Sequence, residues 1–268
     1  MRILDFHCHV YPTAIAERAA ESVARFYHVH RGTEIAALHG TFDEMLSHQK
    51  AAGIAKTLLC SAATVPHQVQ HINEFLARCA RESDGQCLSF GTLHPDSPDV
   101  AGDIAHLLDL GLQGVKFHPD MQGFAMNAPK TMRLLEIADG RLMFLIHTGD
   151  KRYRNANPEQ MQEVLAAFPN TTFIGAHMCG HMMWQEGTAQ MAGKYENLYV
   201  DMSSTLFGVT PEVCVQMIRA YGADRVLFGT DYPMWDPVDE VRGFLALPLT
   251  QQERQRIAWD NAARLLGL

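Results

Sequence analysis

The chain has six cysteines in 268 residues (Cys8, Cys60, Cys79, Cys87, Cys179 and Cys214), but no CxxC and no paired spacing. Nothing therefore suggests a disulfide framework or a cysteine metal clip. Several of these residues sit inside apolar runs, where a free thiol behaves as a small hydrophobe, so a reducing compartment, the cytoplasm, is expected. Positive charge is also scarce. A formal net charge of −8 argues against partners such as nucleic acid or a membrane surface. No apolar run approaches the ~20 residues of a membrane span, and no basic stretch leads into a hydrophobic segment at the start. Neither spanning nor secretion is expected. No Gly-rich nucleotide fingerprint follows the first strand-like run, and no linker, low-complexity tract or charge block divides the chain. Residues 1–268 are expected to form one domain.

What is present is an ordinary globular balance, 47% hydrophobic and 19% charged, with material for a large core. Eight short β-rich runs recur: RILDFHCH, KTLLC, CLSFGTLHP, GVKFHP, LMFLIHTGD, TFIGAH, NLYVDMSS and VLFGTDYP. Helical patterns lie between them. In TFDEMLSHQKAAG, Thr41 and Glu44 read as a capping box and Gly53 as a stop. In PEQMQEVLAAFPN, Pro158 opens a helix whose stripe is Met161, Val164, Leu165 and Phe168. Strand and helix alternating eight times predict an α/β fold of the (β/α)₈ TIM-barrel type, which typically takes ~250 residues. The stretch from Tyr11 to Gly40 is long for a strand-to-helix loop and predicts a helical insertion, or lid, over the barrel mouth.

Active sites of such barrels lie at the C-terminal strand ends. The first run ends in His7 and His9, the fourth in Lys116 and His118, the fifth in His147, the sixth in His177 and the eighth in Asp231. Strand alternation puts Ile3, Asp5, His7 and His9 on one face, and Leu4, Phe6 and Cys8 on the other. The second set reads as the face packed on helices, so the histidines point to the barrel axis. Met143, Leu145 and His147 share an inner face by the same parity, as do Leu227, Gly229 and Asp231. Ionisable side chains converging there need a compensating charge, and a divalent cation supplies it. Neutral imidazoles plus a carboxylate are a usual ligand set for catalytic zinc with one position open to water.

A lone His7 would read as a hydrogen-bonded core residue; His9, His147 and Asp231 at matching ends change that reading. His28 and His30 in FYHVHRG end no strand and read as a solvated loop. His94 and His118 precede prolines and either line the pocket or stabilise a turn. His181 in CGHMM reads as structural or supporting.

HxH closing the first strand, the histidines of LMFLIHTGD and TFIGAHMCG, and the aspartate of VLFGTDYPMW resemble the amidohydrolase superfamily. More narrowly, the chain resembles the amidohydrolase-related branch that includes aminocarboxymuconate-semialdehyde decarboxylase, from Asp5 to the terminal DNAARLLGL. The resemblance implies one Zn²⁺ held by His7, His9, His147 and Asp231, with His177 acting on metal-bound water or substrate. Lys116 occupies the position at which binuclear relatives carry a carboxylated lysine bridging two ions. In that case His147 and His177 would bind the second ion. The reading preferred here is an ordinary lysine that pairs with a substrate carboxylate. A tryptophan that follows the fifth-strand histidine in the decarboxylase is absent, replaced by Gly149, Asp150 and Lys151, which puts that enzyme's own substrate in doubt.

The expected reaction is hydrolysis of a small, anionic amide, ester or lactone by a zinc-activated water. Asp231 would serve as general base then acid, with His177 on the water or oxyanion. Non-oxidative decarboxylation of a small unsaturated or aromatic carboxylate is the alternative on the same ligands. A barrel that binds a metal or small molecule without catalysis is a third reading, but no ligand or proton-transfer residue is missing. Lys151, Arg152 and Arg154 either hold an anionic substrate group or are solvated. Specificity is expected in the loops Tyr11–Gly40, Phe124–Pro129 and Asp150–Asn157. Met182, Met183 and Trp184 are compatible with a homodimer contact.

Overall fold

Eight short parallel strands alternate with helices in the computed structural model, which describes residues 1–268. They are β1 Leu4–His9, β2 Lys56–Cys60, β3 Cys87–Ser89, β4 Gly114–Phe117, β5 Met143–Ile146, β6 Phe173–Gly175, β7 Leu198–Asp201 and β8 Val226–Leu227. The ladders run β1-β2-β3 and β4 through β8 in order. Backbone bonds join these two groups into a ring. Gly91 N donates to Gly114 O and Lys116 N to Gly91 O, both at 2.8 Å, between the third and fourth strands. Phe6 N to Phe228 O at 2.9 Å and Asp231 N to His7 O at 2.8 Å close the eighth onto the first. The expected TIM barrel is present. No helix is long and apolar enough to cross a membrane.

Two faces separate the core. Val115, Phe117, Phe144, Ile146, Phe173, Val200 and Val226 pack outward against the surrounding helices. Leu58, Phe90, Leu145, Ile174 and Leu227 fill the barrel interior, and Ala262 and Leu266 of the C-terminal helix pack against the same cluster. The helix starts and stops follow local chemistry. The segment Pro158–Ala167 opens with Pro at its first turn, where no N–H is needed. Helix α2 (Phe42–Ala51) begins at Thr41, whose hydroxyl accepts from Glu44 N. The capping box is only half formed, because the Glu44 carboxylate accepts instead from His39 N, Gly40 N and the Tyr232 hydroxyl.

The parity expected for β1 is overturned, although its conclusion about the histidines stands. Leu4 and Phe6 face the barrel interior, where Phe6 meets Phe90 edge-on at 5.8 Å. Cys8 faces outward with Met45 and Leu76, as does Asp5, whose Oδ2 accepts from Gln49 Nε2 of α2 at 2.7 Å. The pairing with β2 slips between Asp5 and Cys8: Asp5 opposes Thr57 and Cys8 opposes Leu59. Phe6 and His7 thus oppose Leu58 alone, a β-bulge that turns two consecutive side chains inward. Above it the alternation resumes, and His7 and His9 reach the mouth.

The Asp5 carboxylate braces this bulge. It accepts from His7 N at 3.1 Å, from Thr230 N at 2.9 Å and Thr230 Oγ1 at 2.6 Å, and from Gln49. Burial pushes its pKa up to about 6 against these bonds, which leaves it ionised at neutral pH. Gly229 completes the packing: a Cβ there would meet His7 Cβ at 2.9 Å and Ser203 Cβ at 3.2 Å. Asp5→Asn places an amide N–H₂ among donors, and is expected to cost about 2–4 kcal/mol of stability in urea unfolding. An unchanged unfolding midpoint would show that the bulge does not depend on the carboxylate.

Candidate active site

Four histidines ring the mouth, and each has one ring nitrogen held by a neighbour and the other aimed inward. His7 Nδ1 donates to Asp201 Oδ2 at 3.0 Å, from the end of β7. His9 Nδ1 lies 3.7 Å from the Cys60 thiol at the end of β2. Just past β6, His177 Nδ1 is 2.9 Å from the Ser203 carbonyl. Just past β5, His147 Nε2 is 3.0 Å from the hydroxyl of Tyr27, the last residue of α1 (Ala16–Tyr27). A carboxylate and a carbonyl can only accept, so His7 and His177 keep their proton on Nδ1 and present a bare Nε2.

The inward atoms fall into two groups. His7 Nε2 is 3.1 Å from His9 Nε2, 2.9 Å from Lys116 Nζ and 3.6 Å from Asp231 Oδ1. Asp231 Oδ1 is 3.4 Å from His9 Nε2. His177 Nε2 and His147 Nδ1 form the second group, 3.0 Å apart. Of the four residues expected around one ion, His7, His9 and Asp231 converge, while His147 pairs with His177. Ser204 Oγ donates to Asp231 Oδ2 at 2.5 Å and accepts from Trp235 Nε1 at 2.7 Å, which fixes the carboxylate.

The donor set fits a divalent cation. Ligands 2.0–2.2 Å from a tetrahedral ion stand roughly 3.3–3.6 Å from one another, and the His7, His9 and Asp231 atoms are separated by 3.1–3.6 Å. Holding the outer nitrogen of a histidine is also how proteins aim its inner one at a metal. A further grouping, His118, Asp120 and His147, lies beside the mouth, and the buried Asp120 carboxylate makes no hydrogen bond of acceptable geometry.

Electrostatics follow burial and pairing. Burial favours a protonated Asp231, but His7 and His9 beside it hold its pKa well below the usual carboxylate range. Asp201 is likewise opposed by burial, yet its bond to His7 brings it down to about 2. Burial would lower His9, but Cys60 and Asp231 outweigh it and raise the ring to about 10. Lys116, His118 and His147 are all pushed down, chiefly by burial. Strain gathers in the same place. His177, Met178 and Cys179 have φ of 57°, 55° and 57°, and Asp231 has φ 58°, a left-handed backbone that costs non-glycine residues roughly 1–2 kcal/mol each.

These atoms floor a cavity of about 1000 Å³. Its walls come from residues of the 11–40 stretch and from a segment the sequence reading passed over, Ser61 to Phe75, including the first half of α3 (Val69–Glu82). The expected specificity loops 124–129 and 150–157 contribute nothing to the lining. Lys151, Arg152 and Arg154, for which a substrate-holding and a solvated role were both open, are absent from it too. Lys151 pairs with Glu186 on the surface, and Arg152 is taken by Asp150 at 2.6 Å and by the Phe26 carbonyl at 2.8 Å.

The two open histidine readings separate. His94 Nδ1 accepts from Asp96 N at 3.2 Å and stabilises its turn, whereas His118 both caps its turn, through Nδ1 on Met121 N, and lines the cavity. His28 and His30 are exposed, and His181 lines the cavity beside His147 and His177. Met182 is exposed, while Trp184 packs inward against His181 and Phe207. The residues missed from sequence were Asp201, Ser203 and Ser204, Tyr27 and Trp235. The strand-end rule applied to NLYVDMSS would have found the first three.

Fold and site together place strand-end histidines and a carboxylate at the mouth of a parallel barrel. The amidohydrolase family (Amidohydro_2) profile matches residues 4–268, and the chain belongs to that family of metal-dependent enzymes. Among solved structures it is similar to an uncharacterised TIM-barrel protein from Bordetella bronchiseptica, with TM-score 0.80 and 23% identity over 100% of this chain and 99% of that one. A manganese-bound 5-carboxyvanillate decarboxylase from Novosphingobium aromaticivorans gives TM-score 0.75 and 14% identity, over 100% and 97% of the two chains. For 2,6-dihydroxybenzoate decarboxylase from Rhizobium the values are 0.70 and 17%, over 100% and 99%. At these identities the likeness is one of fold. A search of curated proteins finds no match.

Burial lowers His177 to about 3 and His181 to about 4. Both lie below the unfolded value of ~6.5, so as pH falls the unfolded chain takes up protons that the folded chain refuses. The stability they contribute is complete above pH ~6.5 and is lost as pH falls towards 4, at about 1 kcal/mol per pH unit for each group. Urea midpoints of the metal-free protein are expected to fall between pH 7 and pH 5, and to fall less in His181→Asn. Equal slopes for the two proteins would contradict a buried neutral His181.

Proposed function

We propose that this chain is a metal-dependent, non-oxidative decarboxylase of a small aromatic or unsaturated carboxylate, using zinc or another divalent ion such as manganese. The observation that carries the reading is the cavity above the donors. Tyr11, Phe75, Phe207, Met234 and Trp235 wall it, with the Phe207 and Trp235 rings stacked 4.8 Å apart. Such walls suit a planar ring, and convergent polar atoms at the floor would orient its carboxylate. The full-length likeness to decarboxylases of 2,6-dihydroxybenzoate and 5-carboxyvanillate supports the same choice. Hydrolysis, the reaction expected first, has less support, since those neighbours act by decarboxylation and the cationic cluster invoked for its substrate lies outside the cavity.

His7, His9 and Asp231 would hold the ion. Bound there, a divalent cation supplies charge neutralisation for the substrate carboxylate and fixes its position. Lys116, 2.9 Å from His7 Nε2, stays an amine in this reading and pairs with the same carboxylate. Loss of CO₂ breaks the bond between ring carbon and carboxylate and leaves its electron pair on the carbon, which takes one proton. A proton drawn from solvent reaches the carbon through His177, which Ser203 fixes at Nδ1 and which presents Nε2; Asp231, fixed at Oδ2 by Ser204, would stay on the ion through Oδ1 and offset the charge of the imidazolium. The aromatic walls keep bulk water from the carbon. A second reading, two ions, is favoured by the pairing of His147 with His177. All six cysteines are free and buried, in keeping with the reducing cytoplasm we place the enzyme in.

The test is a panel of hydroxylated aromatic carboxylates, lactones and amides, with metal-loaded protein in D₂O. The expected outcome is CO₂ release with one deuterium at the vacated carbon. Asp231→Asn is expected to slow it about 10²–10⁴-fold, and chelation to abolish it. Hydrolysis of a lactone or amide without CO₂ release from any acid would overturn the reading.

A further inference from the structure

The outer partners of three mouth histidines belong to the barrel: Asp201 and Ser203 at the end of β7, and Cys60 at the end of β2. The fourth does not. Tyr27 closes α1, in the insertion that roofs the cavity, and its hydroxyl sits between two rings, 3.0 Å from His147 Nε2 and 2.8 Å from His118 Nε2. Those rings stack 4.0 Å apart at 6°, so one oxygen serves both.

Helix α1 is tied to the segment that carries His147. Arg152 Nη1 donates to the Phe26 carbonyl at 2.8 Å, and the guanidinium lies 5.1 Å from the Phe26 ring and 5.4 Å from the Tyr27 ring. Asp150 fixes that guanidinium through Nε at 3.0 Å and Nη2 at 2.6 Å. Asp150 is itself buried, three residues past His147, with φ 101° and its N–H on His181 O at 3.0 Å. A non-glycine residue keeps such a backbone only where its surroundings over-determine it. The Asp150–Arg152 pair therefore fixes the end of α1 relative to the β5 loop.

We propose that Tyr27 is the positioning residue of His147, and that the Asp150–Arg152 pair latches it in place. This rests on the two-ion reading, in which His147 and His177 hold the second cation. Its inward atom is Nδ1; a cation held there leaves the proton on Nε2, where the Tyr27 oxygen accepts it. That oxygen has a second lone pair for His118 Nε2–H, since His118 Nδ1 accepts from Met121 N at 3.3 Å. Ala19 and Val23 of α1 line the cavity. The helix that roofs the cavity is thus the one that holds the outer nitrogen of this ligand.

Metal affinity tests the proposal, read with Mn²⁺ or Zn²⁺ alone by competition against a chromogenic chelator. Tyr27→Phe retains the ring and is expected to weaken binding about 10–100-fold, as loss of an outer partner of a ligand does. Arg152→Gln should weaken it in the same direction by less. Tyr27→Phe combined with His147→Ala should bind no more weakly than His147→Ala alone, because Tyr27 acts through that ring. Unchanged affinity in Tyr27→Phe, or losses that add in the double variant, would overturn the proposal. A lower thermal midpoint of metal-free Tyr27→Phe with affinity intact would do the same, making Tyr27 a packing residue. If His147→Ala itself leaves affinity intact, the ligand reading fails and the positioning role falls with it.

Discussion

Ring nitrogens crowded into a buried barrel mouth, those of His7 and His177 bare, are the constraint on which this structure turns. His7 and His177 give their only proton to Asp201 and to the Ser203 carbonyl, so their inner nitrogens point lone pairs at the centre. Lys116 and Asp231 share that space with His9. Lone pairs at such separations repel unless a proton or a cation lies between them, and burial makes each unsatisfied group costly. The barrel keeps the arrangement because the outer atoms are so firmly held.

Delivery of those groups depends on irregular backbone rather than ideal strands. The bulge at Phe6 and His7, braced by Asp5, lets β1 fill the barrel interior with Leu4 and Phe6 and still present His7 and His9 at the mouth. Left-handed turns place His177 and Asp231. Regular packing elsewhere sustains this strain: the outer core cluster alone has 42 buried residues, which leaves ample apolar burial to offset a few kcal/mol at the mouth.

The eight strands and their terminal residues were legible in the sequence because buried parallel strands read as short apolar runs, and function collects where they end. Inward direction was legible for His147, one residue past β5; Asp231 also faces the mouth, but a left-handed turn beyond β8 puts it there rather than strand parity. It was not legible on β1, because a bulge shows only when the partner strand is seen, and parity assigned Leu4, Phe6 and Asp5 to the wrong faces. Charge misled in the same way. Arg152 looked free to hold a substrate until Asp150, two residues away, and the Phe26 carbonyl claimed it. Tyr27 left no sequence signal, since its role arises only where an inserted helix folds back over the mouth.

The central claim is that the mouth binds a divalent ion through His7, His9 and Asp231. Anomalous diffraction from crystals of the manganese-loaded protein, collected at the metal edge, tests it most directly. The account predicts a peak bonded to His7 Nε2, His9 Nε2 and Asp231 Oδ1 at about 2.0–2.3 Å. Manganese found instead at His118 and Asp120, or no peak at the barrel mouth, would contradict it.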